Sequence, residues 1–219
     1  MIQVSHLSLS YGSRILSKDI SFTALGGECL LLAGPNGSGK STLLRTLAAK
    51  EGNTGARCVL IPTGIPKVKG FTVEEFVRTG CYRESDWAGR LRSGAQQRLE
   101  AALDMLGLTD LRQRDISTLS DGEFQKACIA VGLTRRADVL LLDEPTAFLD
   151  VDSRVMVLRT LREVARKSGM AVIFSSHDLH EALQYAHRVL AFTPGGAFLE
   201  STKENRREIL QAAFPMYEP

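Results

Sequence analysis

Apolar and polar positions change rhythm along this chain, and each change predicts an element. Residues 2–9 alternate, with Ile2, Val4, Leu7 and Leu9 separated by polar residues, as in a half-buried strand. Residues 19–24 and 28–33 also read as strands, with Gly26-Gly27 as a hairpin turn between them. Residues 40–49 read as a helix, 50–56 as a loop and 57–61 as a short buried strand. Residues 72–79 look helical. The segment 83–94 mixes charge with Gly, Ser and Trp87 and yields no assignment. From Gln96 to Leu106, the leucines Leu99, Leu103 and Leu106 recur at helical spacing. A polar loop is expected from Gly107 to Ser117.

The second half alternates more regularly. A helix is expected over 123–136, then the continuous apolar run Val139-Leu140-Leu141-Leu142. Such a run suits a strand buried on both faces of a parallel sheet. Helix 152–167, strand 170–175, helix 178–186 and strand 188–193 follow. Pro194-Gly195-Gly196 turns the chain into a last short strand, 203–213 reads as a terminal helix, and Pro215 and Pro219 end the chain. This rhythm predicts an α/β fold with a mostly parallel sheet and helices on both faces. Residues 64–135 look almost wholly helical. The expected organisation is one domain, with 1–63 and 136–219 as its core and 64–135 as an inserted helical lobe.

Composition narrows the picture. At 219 residues and 44% hydrophobic, the chain can bury a substantial core. A formal net charge of +2 gives no electrostatic case for nucleic acid. Arg83, Arg90, Arg92 and Arg98 gather locally, and a solvated helical face is the expected account. The four cysteines lack C-x-x-C spacing, which favours reduced thiols over zinc or a disulfide framework. No basic, then apolar, leader opens the chain, and no apolar run approaches the ~20 residues of a membrane span. The chain is expected to be soluble by itself, with any membrane role exerted through another chain.

The strongest chemical signal is Gly34-Pro35-Asn36-Gly37-Ser38-Gly39-Lys40-Ser41-Thr42. It fits G-x-x-x-x-G-K-[ST], follows an apolar strand and opens a helix, which is the setting the motif requires. Glycines let backbone N–H groups turn inward around phosphate oxygens, and the helix N-terminus adds free donors. Lys40 supplies charge for the outer phosphates, and the Ser41 hydroxyl can hold Mg²⁺. Asp143 and Glu144 end the apolar strand, where ligands bind in such sheets. The first acid can serve the metal and the second can deprotonate water. His177 follows another strand at the same expected edge and could bond a phosphate or orient water. His180 lies three residues on, but no further ligand completes a metal set. Ser120-Asp121-Gly122-Glu123 can form a capping box, and the same helix N-terminus could face an anion.

In this order, these motifs resemble the ATP-binding cassette ATPases over nearly the whole chain. The fold the resemblance implies is a P-loop NTPase with a reduced N-terminal antiparallel β-subdomain and an inserted helical subdomain. Tyr11 matches the aromatic that stacks on adenine, and residues 34–42 match the first nucleotide motif. Leu119 to Glu123 looks like the LSGGQ signature, with Asp121 and Glu123 as variants. Asp143 and Glu144 match the metal-side acid and the catalytic glutamate. Ala147-Phe148-Leu149-Asp150 looks like the dimer-contacting loop, and His177-Asp178 like the switch histidine. The family implies ATP and Mg²⁺, and a head-to-tail homodimer in which one signature closes over the other copy's ATP. It implies transmembrane permease subunits on the inner face of the membrane and, indirectly, a substrate-binding protein. The wording from Ser175 to Ala186 is most similar to importers of iron-siderophore, haem or cobalamin.

Two positions depart from the family. Thr63 stands where the family usually has Gln, and lacks the reach of an amide. The stretch from Lys40 to Thr63 is shorter than usual, so the β-subdomain should be small. The expected function is the ATPase subunit of an importer. The alternatives are a hydrolysis-impaired ATP-dependent switch, motivated by Thr63, and a cytosolic non-transport cassette. The last would need a coiled coil or two cassettes, and the chain has neither.

Overall fold

The computed structural model of the chain describes residues 1–49, 56–87, 90–202 and 204–215. Of the loop expected at 50–56 only Ala56 falls among them, and Pro219 lies outside. Strands β1 (Ile2–Tyr11) and β2 (Arg14–Ala24) form a two-stranded antiparallel sheet, joined at Gly12-Ser13. Strand β3 (Cys29–Ala33) leads into α1 (Lys40–Ala49), and β4 (Cys58–Ile61) follows. Helices α2 (Val73–Arg78), α3 (Ser93–Met105) and α4 (Asp121–Thr134), with short 3₁₀ turns between them, fill the stretch before β5 (Val139–Leu142). Then come α5 (Val151–Ser168), β6 (Ala171–Ser175), α6 (Leu179–Tyr185), β7 (Arg188–Phe192), β8 (Phe198–Glu200) and α7 (Arg206–Ala213).

The main sheet has the order β4-β5-β6-β3-β7-β8, parallel throughout except for β8. Both of its faces are covered. Leu31, Leu140 and Leu142 pack on one side with helix residues such as Leu99, Ile129 and Leu161. Leu30, Leu32 and Leu141 pack on the other with Leu43 and Leu47 of α1 and Ile20 and Phe22 of β2. This two-sided burial is why the central strands carry unbroken apolar runs.

Three expectations need correction. Gly26-Gly27 is a turn, but β2 and β3 belong to different sheets, so it closes no hairpin. The second strand begins at Arg14 rather than at residue 19, because the tight Gly12-Ser13 turn returns the chain at once along β1. Arg98 is not on a solvated face. It is half-buried and donates to the Glu84 carboxylate and to the carbonyls of Gly94 and Thr134, bracketing α3 against the end of α4.

All four cysteines are buried and free. Burial pushes the Cys29 and Cys128 thiols from the ordinary 9.0 up to about 12. The folded chain therefore holds these protons more tightly than the unfolded chain. The resulting stability is complete below 9.0 and is lost as the pH rises towards 12. Urea unfolding above pH 9 should show stability falling with pH, and a Cys29→Ala/Cys128→Ala variant should fall less steeply. The difference should approach about 1.4 kcal/mol per pH unit for each thiol; identical slopes would contradict it.

Candidate functional site

Four neighbouring parallel strands, β4, β5, β6 and β3, end at one edge of the sheet, and the chemistry-bearing residues follow their ends. After β3, the loop from Gly34 to Gly39 wraps the start of α1. Gly34 has φ +146°, and an added Cβ would sit 2.9 Å from Phe192 Cβ and 3.1 Å from its carbonyl oxygen. Gly39 has φ +109° and packs against Leu9 and Leu16. Both positions demand glycine, for backbone angle and for space.

Lys40 is buried and turns back over the loop. Its Nζ donates to the carbonyls of Gly34 at 2.8 Å and Pro35 at 3.0 Å. Desolvation pulls its pKa down, while the charges of Glu144 and Asp143 push it up. Ser38 Oγ is buried without a hydrogen-bond partner. An open cleft of about 530 Å³ lies above the loop, lined by Asn36, Gly37, Gly39, Lys40, Ser41 and Thr42. Tyr11, Arg14, Leu16, Glu144 and His177 complete its wall. Tyr11 is 72% exposed, leaving its ring free for a planar partner.

Asp143 and Glu144 follow β5. Asp143 is buried, and its Oδ1 accepts from Ser41 Oγ at 3.0 Å and from Ser175 Oγ at 2.9 Å. Glu144 sits at φ +49°, an uncommon backbone for a residue with a side chain. Its carboxylate Oε1 lies 2.5 Å from His177 Nε2. The two residues sit 33 positions apart in sequence and meet because β5 and β6 are paired neighbours. Thr63, two residues past β4, donates from Oγ1 to the Asp143 carbonyl at 2.5 Å. Arg154 of α5 links the flanking loops by donating to the Leu149 carbonyl at 3.0 Å and to Asp178 at 2.9 Å.

The Ser120–Glu123 segment forms the expected capping box. Ser120 Oγ accepts from the Glu123 N–H at 3.2 Å, and Glu123 Oε2 accepts from the Ser120 N–H at 2.8 Å. The bond from the Ser120 N–H, with a smaller contribution from the Ser120 hydroxyl, holds the Glu123 carboxyl below its usual range. Gly122 is buried, and a Cβ there would lie 2.5 Å from Met156 Cε. Asp121 pairs with Lys67, whose Nζ is 2.6 Å from Asp121 Oδ1 and also donates to the Leu119 carbonyl at 2.7 Å. None of Ser120 to Glu123 lines the cleft above Lys40. Asp121 instead borders a second cleft of about 360 Å³ with Thr63, Asp143 and Glu144. Asp150 caps α5, accepting from the Ser153 N–H at 2.9 Å.

The structure thus brings Lys40, Ser41, Asp143, Glu144 and His177 together and keeps Ser120–Glu123 apart from the cleft. Gly34, Pro35 and Ser38 support the loop without lining the cleft. Sequence reading missed Ser175, Lys67 and Arg154. Only Ser175 carried a visible signal, as a polar residue closing an otherwise apolar strand.

The chain is similar to known proteins in sequence and in fold. The family model described as ABC transporter matches residues 17–147. The Petrobactin import ATP-binding protein FpuC of Bacillus anthracis is 31% identical, covering 89% of this chain and 79% of that protein. The Hemin import ATP-binding protein HmuV of Shewanella denitrificans is 34% identical, covering 89% of this chain and 85% of that protein. A solved structure of a transporter assigned to the metal-chelate ABC type, inward-facing, superposes with TM-score 0.85 at 27% identity, covering 98% of this chain and 88% of that one. The chain belongs to the ABC transporter family as one of its ATP-binding components. ATP binding and hydrolysis come with that membership.

The capping box also makes a stability forecast. Ser120→Ala should cost about 0.5–2 kcal/mol in urea unfolding, because the Glu123 N–H at the start of α4 loses its side-chain acceptor. A variant as stable as the parent would show that the box contributes nothing.

Proposed function

We propose that this chain is the ATP-hydrolysing subunit of a membrane importer for a metal-chelate compound of the iron-siderophore, haem or cobalamin type. One observation carries the catalytic part. A buried lysine, the Ser41 hydroxyl and a carboxylate–imidazole pair line one cleft at the sheet edge, and Asp143 stands just behind it, bonded to Ser41. The import class rests on the relatives, whose names describe petrobactin and hemin import.

The loop N–H groups and Lys40 bind the phosphates of ATP, and Tyr11 stacks on the base. Ser41 Oγ and Asp143 Oδ1 supply adjacent hard oxygens suited to Mg²⁺. Among the described residues no group of three or more His, Cys, Asp and Glu side chains gathers for a metal. Ser41 and Asp143 would hold an ion that completes its shell with phosphate and water, as suits Mg²⁺. The chemistry an ion would supply there is to offset the charge on the phosphate oxygens. Glu144 takes the proton of the attacking water, and His177 holds the Glu144 carboxylate in place and faces the terminal phosphate.

The complete site needs a second copy. The start of α4 is exposed at Ser120 and Asp121 and lies outside its own chain's cleft, as a segment meeting another copy's ATP must. In this arrangement two chains pair head to tail around two nucleotides, with Asp150 at the contact between copies. No described helix is long and apolar enough to cross a membrane. In this reading, which the import names of the relatives support, the pair works from the cytoplasmic face through permease subunits, which receive compound from a substrate-binding protein.

With ATP and Mg²⁺, Glu144→Gln should lower turnover by ~10²–10⁴ while leaving ATP affinity within about threefold. That loss corresponds to about 3–5 kcal/mol of barrier. Lys40→Ala should abolish measurable nucleotide binding in an equilibrium titration. Parental turnover by Glu144→Gln would remove the base from its assigned role, and parental affinity in Lys40→Ala would remove the phosphate site.

A further inference from the structure

Thr63 stands where the segment leaving β4 passes the acidic end of β5. Its Oγ1 donates to the carbonyl of Asp143. That carbonyl belongs to the peptide unit joining Asp143 to Glu144. The N–H of the same unit, on Glu144, donates to Ser175 Oγ at 2.9 Å. One peptide plane is therefore held at both polar ends, by side chains from the ends of the two strands that flank β5. The orientation of that plane sets φ of Glu144, which is +49°. A residue with a side chain keeps such a backbone only where its surroundings enforce it. From this backbone the Glu144 carboxylate reaches His177 Nε2.

We infer that Thr63 is a positioning residue for Glu144, its hydroxyl fixing the Asp143–Glu144 peptide so that the carboxylate points at His177 and the cleft. This rests on the reading of Glu144 as the base. A threonine hydroxyl has one proton to give, and here it goes to the Asp143 carbonyl. Ser175 alone cannot replace this contact, because its hydroxyl already serves the Glu144 N–H and the Asp143 carboxylate. Thr63 is thus a second way to organise this edge, acting through the backbone of the neighbouring strand.

The test compares full-length Thr63→Val, Thr63→Ser and Glu144→Gln chains by ATP turnover and by ATP titration in the same buffer. Valine keeps the shape of threonine and removes the hydroxyl; serine keeps the hydroxyl. Thr63→Val should lose about 10- to 100-fold in kcat, the scale expected when a reacting group is misplaced by about 1 Å. Its ATP affinity should stay within about threefold, and Thr63→Ser should recover kcat to within about threefold of the parent. Parental turnover in Thr63→Val would overturn the inference. So would a serine variant as impaired as the valine one, or a loss of affinity as large as the loss of kcat. Glu144→Gln separates the two levels. If it is inactive while Thr63→Val turns over normally, only the role of Thr63 fails; if it turns over normally, the reading of the base fails and takes the role of Thr63 with it.

Discussion

Parallel strands point all their carboxyl ends the same way, and everything at this site depends on that. With β4, β5, β6 and β3 side by side, the residues following each strand emerge within hydrogen-bonding distance of the next strand's. Thr63 meets Asp143, Asp143 meets Ser175, Glu144 meets His177, and Ser41 reaches across to Asp143. Sequence separations of 32 to 102 residues collapse to about 3 Å because the sheet aligns them. The arrangement holds only while both sheet faces stay dry. Burying the apolar runs on two sides therefore supports the chemistry as well as the fold.

Burial also shapes the electrostatics. Lys40 is an ammonium with little contact with water, held by two carbonyls and facing two carboxylates. A charge in such a place attracts an incoming phosphate more strongly than it would in water, since less solvent screens it. The loop glycines permit this geometry by letting the backbone pass close to Phe192 and Leu9. Ser175 serves both acidic residues at once, accepting from one backbone and donating to the other side chain.

Much of this was legible in the sequence, for identifiable reasons. Val139–Leu142 was read at its observed bounds because a short apolar run closed by two acids has few other interpretations. The helix at Lys40 and the loop before it follow from glycine and lysine spacing. What escaped depends on contacts that no local pattern encodes. Arg98 looked like a surface arginine among others, yet it bonds to Glu84 and to two backbone carbonyls. Gly26-Gly27 has the residues of a hairpin turn, but only tertiary pairing decides that β2 joins β1 alone. Thr63 looked like a lost amide, and its actual partner, a backbone oxygen on another strand, leaves no trace in residue type.

Lys67 adds a mechanical point. It lies in the span leaving β4, yet it grips the entry to α4 twice, through the Asp121 carboxylate in the helix and the Leu119 carbonyl just before it, with its ammonium 5.7 Å from the centre of the Phe124 ring. Thr63, four residues earlier, grips the acidic end of β5. The three residues between these anchors are thus held at both ends, at the acidic end of β5 and at the start of α4, so the span leaving β4 joins the two places directly.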